Sequence, residues 1–442
     1  MTKSFKDSII LGLALFAMFF GAGNLIFPTS VGLTSGTQWT KALTGFGITG
    51  ILLPLLGIMA VMSAGGTLLS FSSRTGNTIS KIYSTVVITS LGLVAVSRTA
   101  ATTYEMGIAP NISSVSPILS ATIFFVITWL LTINPTGIID RIGKILTPVL
   151  LVMLGIIIFK GVTEPMGIIT ETSLKSPFRY GFYGGYQTMD AMGSTILGGI
   201  VIASLLEKGY KSKREQMSMT LRSVIIAGLG LLLVYGGLLY LGATGTTIFT
   251  GTLSKTSLTV SIVEAILGDT GKVILGLCVS FACLTTSIGL TATIGEYFTD
   301  LSNKNVSYKT IVTLTVILCG LISNFGVDMI VNLASPLLVA MYPVTIVLIV
   351  LNLLSNFIKS DLAFTGAVIG TFAVSLFDGL ATAGFRIDWV QNLISAMPLS
   401  QSGFGWVTPA LIGFVILPLL LPPRRVDSQE TFDKSRQAIH QA

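Results

Sequence analysis

Charge is what this sequence has least of. Asp, Glu, Lys and Arg make up 10% of its 442 residues, where a soluble domain carries about a quarter. With 51% hydrophobic residues and a mean hydropathy of +0.84, a water-soluble fold would have to bury nearly the whole chain. Surface-to-volume scaling forbids that. Histidine is almost missing: His440, in the polar C-terminal stretch, stands alone. With no histidine in any apolar run and few carboxylates there, the bases and paired ligands of a membrane-embedded enzyme are lacking. Cysteine is scarce too. Cys278, Cys283 and Cys319 sit inside apolar runs without metal-ligand spacing, which reads as packing and not as a disulfide frame. The alternating segments of about ten residues that build a membrane β-barrel do not occur.

What is there instead is a series of apolar runs, each long enough to cross a bilayer as a helix of about 20 residues. They fall at roughly 8–29, 42–63, 79–107, 117–133, 143–161, 180–206, 222–244, 271–298, 309–325, 329–354, 362–379 and 404–421. The expected fold is an all-α integral membrane protein of about twelve transmembrane helices, with one transmembrane domain over 1–424 and a polar tail over 425–442. The first run has no small-residue cleavage site and reads as a retained helix, not a signal peptide. Lys and Arg divide unevenly between alternate loops, eighteen on the side of the N-terminus against seven on the other, with Arg98 inside a span. By the positive-inside rule this puts both termini in the cytoplasm. The net charge of +7 is thereby explained by orientation, without nucleic acid.

Function has to be read where the runs break the rules. The first holds Phe20-Gly21-Ala22-Gly23-Asn24-Leu25-Ile26-Phe27-Pro28. Glycine frees the backbone and proline removes a donor. A helix that unwinds here bares polar backbone, which lipid tolerates only against protein, water or a ligand. A close-packed small-residue face with a proline kink explains the motif equally well. The sixth run holds Tyr183-Gly184-Gly185-Tyr186-Gln187-Thr188-Met189-Asp190-Ala191-Met192-Gly193, with a carboxylate well inside the membrane. An ionisable group there is a functional candidate by default. Interrupted helices in corresponding places of two halves point to a transporter site. They imply two inverted five-helix repeats, 8–163 and 177–354, with two further helices over 362–421. A half-helix N-terminus suits a substrate carboxylate, and unwound carbonyls suit a small cation or an ammonium group. In the eighth run Ala282, Thr285 and Thr286 share one helical face. One carbonyl and two hydroxyls suit a monovalent hard cation, whereas a divalent ion would recruit carboxylates. Each hydroxyl can equally bond back to its own helix, and for a Thr-Thr pair alone that is the better reading.

The stretch Gly21–Pro28, together with Gly185-Tyr186-Gln187-Thr188-Met189-Asp190, resembles the bacterial branched-chain amino acid carrier family, and the resemblance runs over essentially the whole chain. More distantly the chain is similar to the LeuT-like transporters with five-plus-five inverted repeats. The resemblance implies sodium-coupled symport of leucine, isoleucine and valine by alternating access, in the bacterial cytoplasmic membrane. It implies a sodium ion between the first and eighth helices, held by the carbonyls of Ala17, Phe20 and Ala282 and the hydroxyls of Thr285 and Thr286. It places the substrate's carboxylate and ammonium against Phe19, Gly21, Ala22, Gly23 and Asn24 on one side and Gly185, Tyr186, Gln187, Thr188 and Asp190 on the other. An aliphatic pocket from helices one, three, six and eight would take the branched side chain. One sodium ion is expected; no cofactor and no obligatory protein partner are implied.

Two charged residues stay outside this scheme. Arg98 and Glu105 lie seven apart on one face of the third run, either paired with each other or across the bundle as a gate, or as structural partners near its outer end. Three alternatives to sodium symport remain at this stage: proton coupling through Asp190, a channel, for which no charged ring or repeated filter motif exists, and an enzyme.

Overall fold

The computed structural model describes residues 3–133, 138–249 and 253–422. The polar tail over 425–442 lies outside the described residues. Among those described the secondary structure is helical throughout, and each of the twelve apolar runs coincides with helix. In chain order the main elements are α1 (Lys3–Phe19), α2 (Ala22–Ser35), α3 (39–64), α4 (Asn77–Ile108), α5 (Pro117–Ile133), α6 (Ile138–Thr163) and α7 (Pro177–Tyr186). They continue with α8 (Asp190–Glu207), α9 (Lys213–Thr244), α10 (Lys255–Leu301), α11 (Tyr308–Ser323), α12 (Val327–Leu353), α13 (Asp361–Thr382), α14 (Asp388–Ser395) and α15 (Val407–Leu420).

The helices outrun the hydropathy where polar chemistry extends them. The apolar run at 222 belongs to a helix that starts at Lys213, because Ser212 Oγ accepts the Glu215 N–H and Glu215 Oε2 accepts the Ser212 N–H. That reciprocal cap satisfies two otherwise orphaned donors. The run at 271 is the second limb of α10. Its first limb is a separate helix that turns sharply at Gly268 (φ 67°, ψ −163°), a left-handed backbone that glycine adopts freely. Lys272 bridges Glu264 and Asp269 across that corner, 2.8 Å from each.

The membrane character is visible on the surface. Large apolar side chains such as Phe159, Leu233, Leu321 and Ile118 lie exposed on successive helices, far beyond the patch size that a soluble monomer tolerates. Between helices the contact is set by small residues, as expected where lipid is as apolar as leucine. A side chain at Gly32 would strike the Leu239 carbonyl, and one at Gly242 would strike that of Thr29, so α2 and α9 touch backbone to backbone. The last two spans pack likewise: a Cβ at Gly366 would sit 2.0 Å from the Gly413 oxygen, and one at Gly413 would sit 2.0 Å from the Gly366 oxygen.

The breaks expected in the first and sixth spans are both present. α1 and α2 are separated at Phe20 and Gly21, and α7 and α8 at Gln187, Thr188 and Met189. The paired Gly184 and Gly185 form the last turn of α7 rather than the break itself. A Cβ at Gly185 would meet Thr49 Oγ1 at 2.0 Å, so this glycine admits α3. α3 answers with a wide π-helical segment over Ile48–Leu52, where Thr49 Oγ1 donates to the Phe182 carbonyl at 2.8 Å.

Glu105 is no partner of Arg98. Its Oε1 accepts the Val327 N–H at 2.8 Å, capping the start of α12, and its Oε2 accepts the Thr256 hydroxyl at 2.5 Å. The gating pair between Arg98 and Glu105 is therefore set aside in favour of a structural role for Glu105 at the helix end.

The Gly366–Gly413 contact predicts that Gly413→Val pushes α15 off α13 and costs about 1–3 kcal/mol. Gly289→Ala, where a Cβ meets nothing within 4 Å, should leave stability equal or slightly raised. Thermal unfolding of the detergent-purified variants measures both.

Candidate functional site

Unwinding releases specific backbone groups. In a continuous helix the Gly21 N–H would bond to Ala17 O and the Asn24 N–H to Phe20 O. Instead Gly21 donates to Phe19 O at 3.0 Å and to Asn24 Oδ1 at 3.2 Å, while Asn24 N–H goes to Gly21 O at 3.1 Å. The carbonyls of Ala17 and Phe20 are thus among those, with Met18 and Phe19, that the break deprives of their helical donors, Phe19 O taking the Gly21 N–H instead. Gly21 has an extended backbone (φ −107°, ψ −172°) and stands as the N-cap of α2, whose first N–H groups open toward the break.

In the sixth span the chain leaves α7 through tight turns. Gln187, Thr188 and Met189 donate their N–H groups to Gly184, Gly185 and Tyr186, three residues back, and Met189 adopts a left-handed backbone (φ 64°). For a side-chain-bearing residue that conformation is uncommon and strained. Asp190 then opens α8, where the helix dipole favours a carboxylate.

One hydrogen bond ties the two breaks together. Asn24 Nδ2 donates to Asp190 Oδ2 at 2.6 Å, across 166 residues of sequence. The same amide lies on the Tyr235 hydroxyl from α9. Asn24 is 2% exposed, Asp190 8% and Tyr235 is fully enclosed, so bulk solvent has little access to this bond. A charge-assisted bond of this kind contributes about 1.5–3 kcal/mol. Thr188 Oγ1 lies 3.3 Å from the Asp190 N–H it accepts, and itself donates to Gly185 O at 2.9 Å.

The remaining candidates separate into those at the breaks and those behind them. Phe19 and Phe20 are buried; Phe20 stacks on Phe16 at 5.4 Å and on Tyr235 at 6.2 Å. Tyr186 is a packing residue, its ring lying 4.1 Å from that of Tyr342 on α12. Gln187 Nε2 donates to Ser335 Oγ at 3.2 Å, and its Oε1 is buried without a donor among the described residues. Gly23 stands at the start of α2 with the Arg98 guanidinium against it. Ala22 lies beside it in the first turn of α2.

Ala282, Thr285 and Thr286 do share one face, half-buried on the second limb of α10. Both hydroxyls donate to the Ala282 carbonyl, at 3.0 and 2.9 Å. The back-bonded arrangement weighed from sequence is therefore what these side chains adopt. It uses their protons and leaves the oxygen lone pairs. Among the described residues no hydrogen bond joins this trio to Ala17 or Phe20. The three cysteines are buried and unpaired.

Sequence reasoning missed Tyr235 and the central position of Arg98. Tyr235 lies in an apolar run with nothing to set it apart. Arg98 was singled out, but its partner is a main-chain carbonyl, Gln187 O, at 2.6 Å, and no side-chain pattern reports that.

A family model described as branched-chain amino acid transport protein matches residues 4–421. The chain is 36% identical over 433 residues to the branched-chain amino acid permease BraB of Bacillus subtilis (strain 168), covering 95% of this chain and 97% of that one. It is 34% identical over 417 residues to the branched-chain amino acid transport system 2 carrier protein of Pseudomonas aeruginosa, covering 93% and 95%. Among solved structures it is similar to the inward-facing conformation of Mhp1, with a TM-score of 0.65 at 14% identity over 97% of this chain and 94% of that one. It is also similar to MhsT in complex with L-phenylalanine, with a TM-score of 0.55 at 17% identity over 96% and 98%. The fold is that of the LeuT-like transporters, as the two broken helices led us to expect. A multi-pass helical membrane protein with these relatives along its whole length is a transporter and not an enzyme, and it belongs to the branched-chain amino acid transport protein family.

Proposed function

We propose that this transporter carries leucine, isoleucine and valine into the cell together with sodium, by alternating access, with both termini in the cytoplasm. The observation that carries the reading is the pair of facing breaks joined by the Asn24–Asp190 bond. Between them lie what a zwitterion requires: free N–H groups at the start of α2 for its carboxylate, and Asp190 with the turns at Gln187–Met189 for its ammonium. A hydrophobic pocket distinguishes one methylene by only about 1–3 kcal/mol, so overlap among the three substrates follows. Polar side chains would lie unpaired there and be rejected more strongly.

Sodium would sit between the Ala17 and Phe20 carbonyls, which the break leaves without their helical donors, and the oxygens of Ala282, Thr285 and Thr286. These are neutral hard donors suited to a monovalent ion. The structure supports this through the diverted N–H groups of Gly21 and Asn24. Binding at this place ties the first span to the eighth and stabilises one facing state over the other, which is how a coupling ion shifts a two-state equilibrium. The hinges are the residues that leave helical geometry, Phe20–Gly21 and Gln187–Met189.

A second reading, proton coupling, rests on the burial of Asp190 at the centre of the molecule.

Radiolabelled leucine uptake into proteoliposomes, with sodium, potassium and pH gradients imposed separately, tests the whole. Accumulation should follow the sodium gradient alone and be competed by isoleucine and valine. Thr286→Ala should raise the sodium concentration for half-maximal uptake about tenfold, equivalent to ~1.4 kcal/mol, and Thr286→Ser should restore it; unchanged sodium activation in Thr286→Ala removes this residue from the ion site.

Asp190→Asn keeps an oxygen for Asn24 but loses the charge. We expect its leucine KM to rise about tenfold or more, as loss of a charged partner implies, with uptake still sodium-driven. Wild-type accumulation on a pH gradient that Asp190→Asn abolishes would establish proton coupling instead.

A further inference from the structure

Arg98 lies at the middle of α4, between two wide π-helical segments at Leu91–Val96 and Thr103–Ile108. Such segments re-aim a helix face and collect at functional sites. The residue is 95% buried, being 5% exposed. Its guanidinium has five N–H donors. Among the described residues one hydrogen bond is made, from Nη1 to the Gln187 carbonyl in the unwound turn. No carboxylate forms an ion pair with it there, although Asp190 is the foremost opposing charge in its surroundings. Its other neighbours are apolar or small: the guanidinium carbon lies 5.3 Å from the centre of the Phe27 ring, and Nη2 is aimed at Gly23, 3.0 Å from where a Cβ would stand.

This is a costly arrangement for a structural arginine. A buried cation is normally paired and its donors spent. Here Nη1 makes the one hydrogen bond among the described residues, and Nη2 is directed at the first turn of α2, where N–H groups already point outward and the dipole is positive. Two positive features, the guanidinium and the start of α2, converge here. A planar carboxylate is the group that a guanidinium fork receives in two parallel bonds. Gln187 adds the complementary half. Its carbonyl accepts from Arg98, and its side-chain Oε1 is a buried acceptor without a donor.

We propose that Arg98 is the carboxylate anchor of the transported amino acid. It grips the substrate carboxylate together with the first N–H groups of α2, while Asp190 and Gln187 face the ammonium. Without substrate Arg98 rests on the Gln187 carbonyl; with substrate it turns to the carboxylate and frees that carbonyl for the ammonium. Gly23 is then required because a side chain there would occupy the path of the guanidinium. The inference rests on the amino acid transport reading and adds a specificity residue to it: the α-carboxylate is selected by a charge on α4, not by the helix end alone.

The test compares two ligands on purified protein, L-leucine and L-leucinamide, which keeps the ammonium and side chain but lacks the carboxylate. Affinities are measured by competition against radiolabelled leucine and by ligand-induced thermal shift. In Arg98→Gln the preference for leucine over leucinamide should shrink about 10- to 100-fold, the scale of losing a charge-assisted bidentate contact. Leucinamide affinity itself should stay within about threefold, because its contacts are elsewhere. Arg98→Lys keeps the charge without the fork; it should give an intermediate preference and serves as the second variant should Arg98→Gln not fold. Equal weakening of both ligands would make Arg98 a structural residue and overturn the proposal, as would an unchanged preference. A wild-type protein that binds no leucine would overturn the underlying reading at the first step, before any variant is compared.

Discussion

The structure depends on one constraint: a backbone inside a bilayer has no water to satisfy it. Ten of the twelve spans meet this by continuous helix. The first and sixth do not, and what replaces the missing bonds is specific. Asn24 supplies an acceptor to the Gly21 N–H with its oxygen and a donor to Asp190 with its nitrogen. One amide side chain therefore closes its own break and fastens it to the other. Without that double use, two unwound segments would each leave bare polar groups at the centre of an apolar molecule. The same economy explains why the Ala17 and Phe20 carbonyls are available: their donors have been taken by this rearrangement.

Much of the fold was legible because hydropathy and lipid obey the same physics. A run of apolar residues long enough to span has one solution, so twelve runs gave twelve helical regions. The breaks were legible for the complementary reason: Gly21, Gly23 and Pro28 cluster with Asn24 in one run, and Gly184 and Gly185 with Gln187 and Asp190 in another, so residues that free the backbone coincide with polar groups inside a span. The places where the reading fell short are informative. Helix ends were missed wherever polar caps, not apolarity, set them, as at Ser212 and Glu215. The break in the sixth span begins two residues after Gly185, because that glycine is needed for contact with Thr49 and the left-handed backbone falls on Met189 instead.

The site was less legible than the fold. Which carboxylate meets which amide depends on tertiary pairing across 166 residues, and periodicity carries no information at that range. Tyr235 joins the centre from a helix whose sequence is otherwise plain. Arg98 was conspicuous as a charge, yet its neighbours are a main-chain carbonyl, an aromatic face and a glycine, none of which a charge-pairing argument looks for. Glu105, seven residues away, was judged alongside it and turned out to serve a different end of the molecule. Ala17 and Phe20 were reachable only through family resemblance; the hydrogen bonds at the break show that both carbonyls have lost their helical donors, as that of Met18 has too.

Glu105 also has a mechanical consequence. Its two oxygens hold the first limb of α10 through Thr256 and the start of α12 through Val327, and the side chain belongs to α4. Three elements distant in sequence thus share a single carboxylate as a common pivot. A shift of one relative to the other two would break a part-buried hydrogen bond to this carboxylate, so the contact holds the three together. In the alternating-access cycle proposed above, motion is steered away from this corner and toward the broken helices, where the backbone has already surrendered its regular bonds.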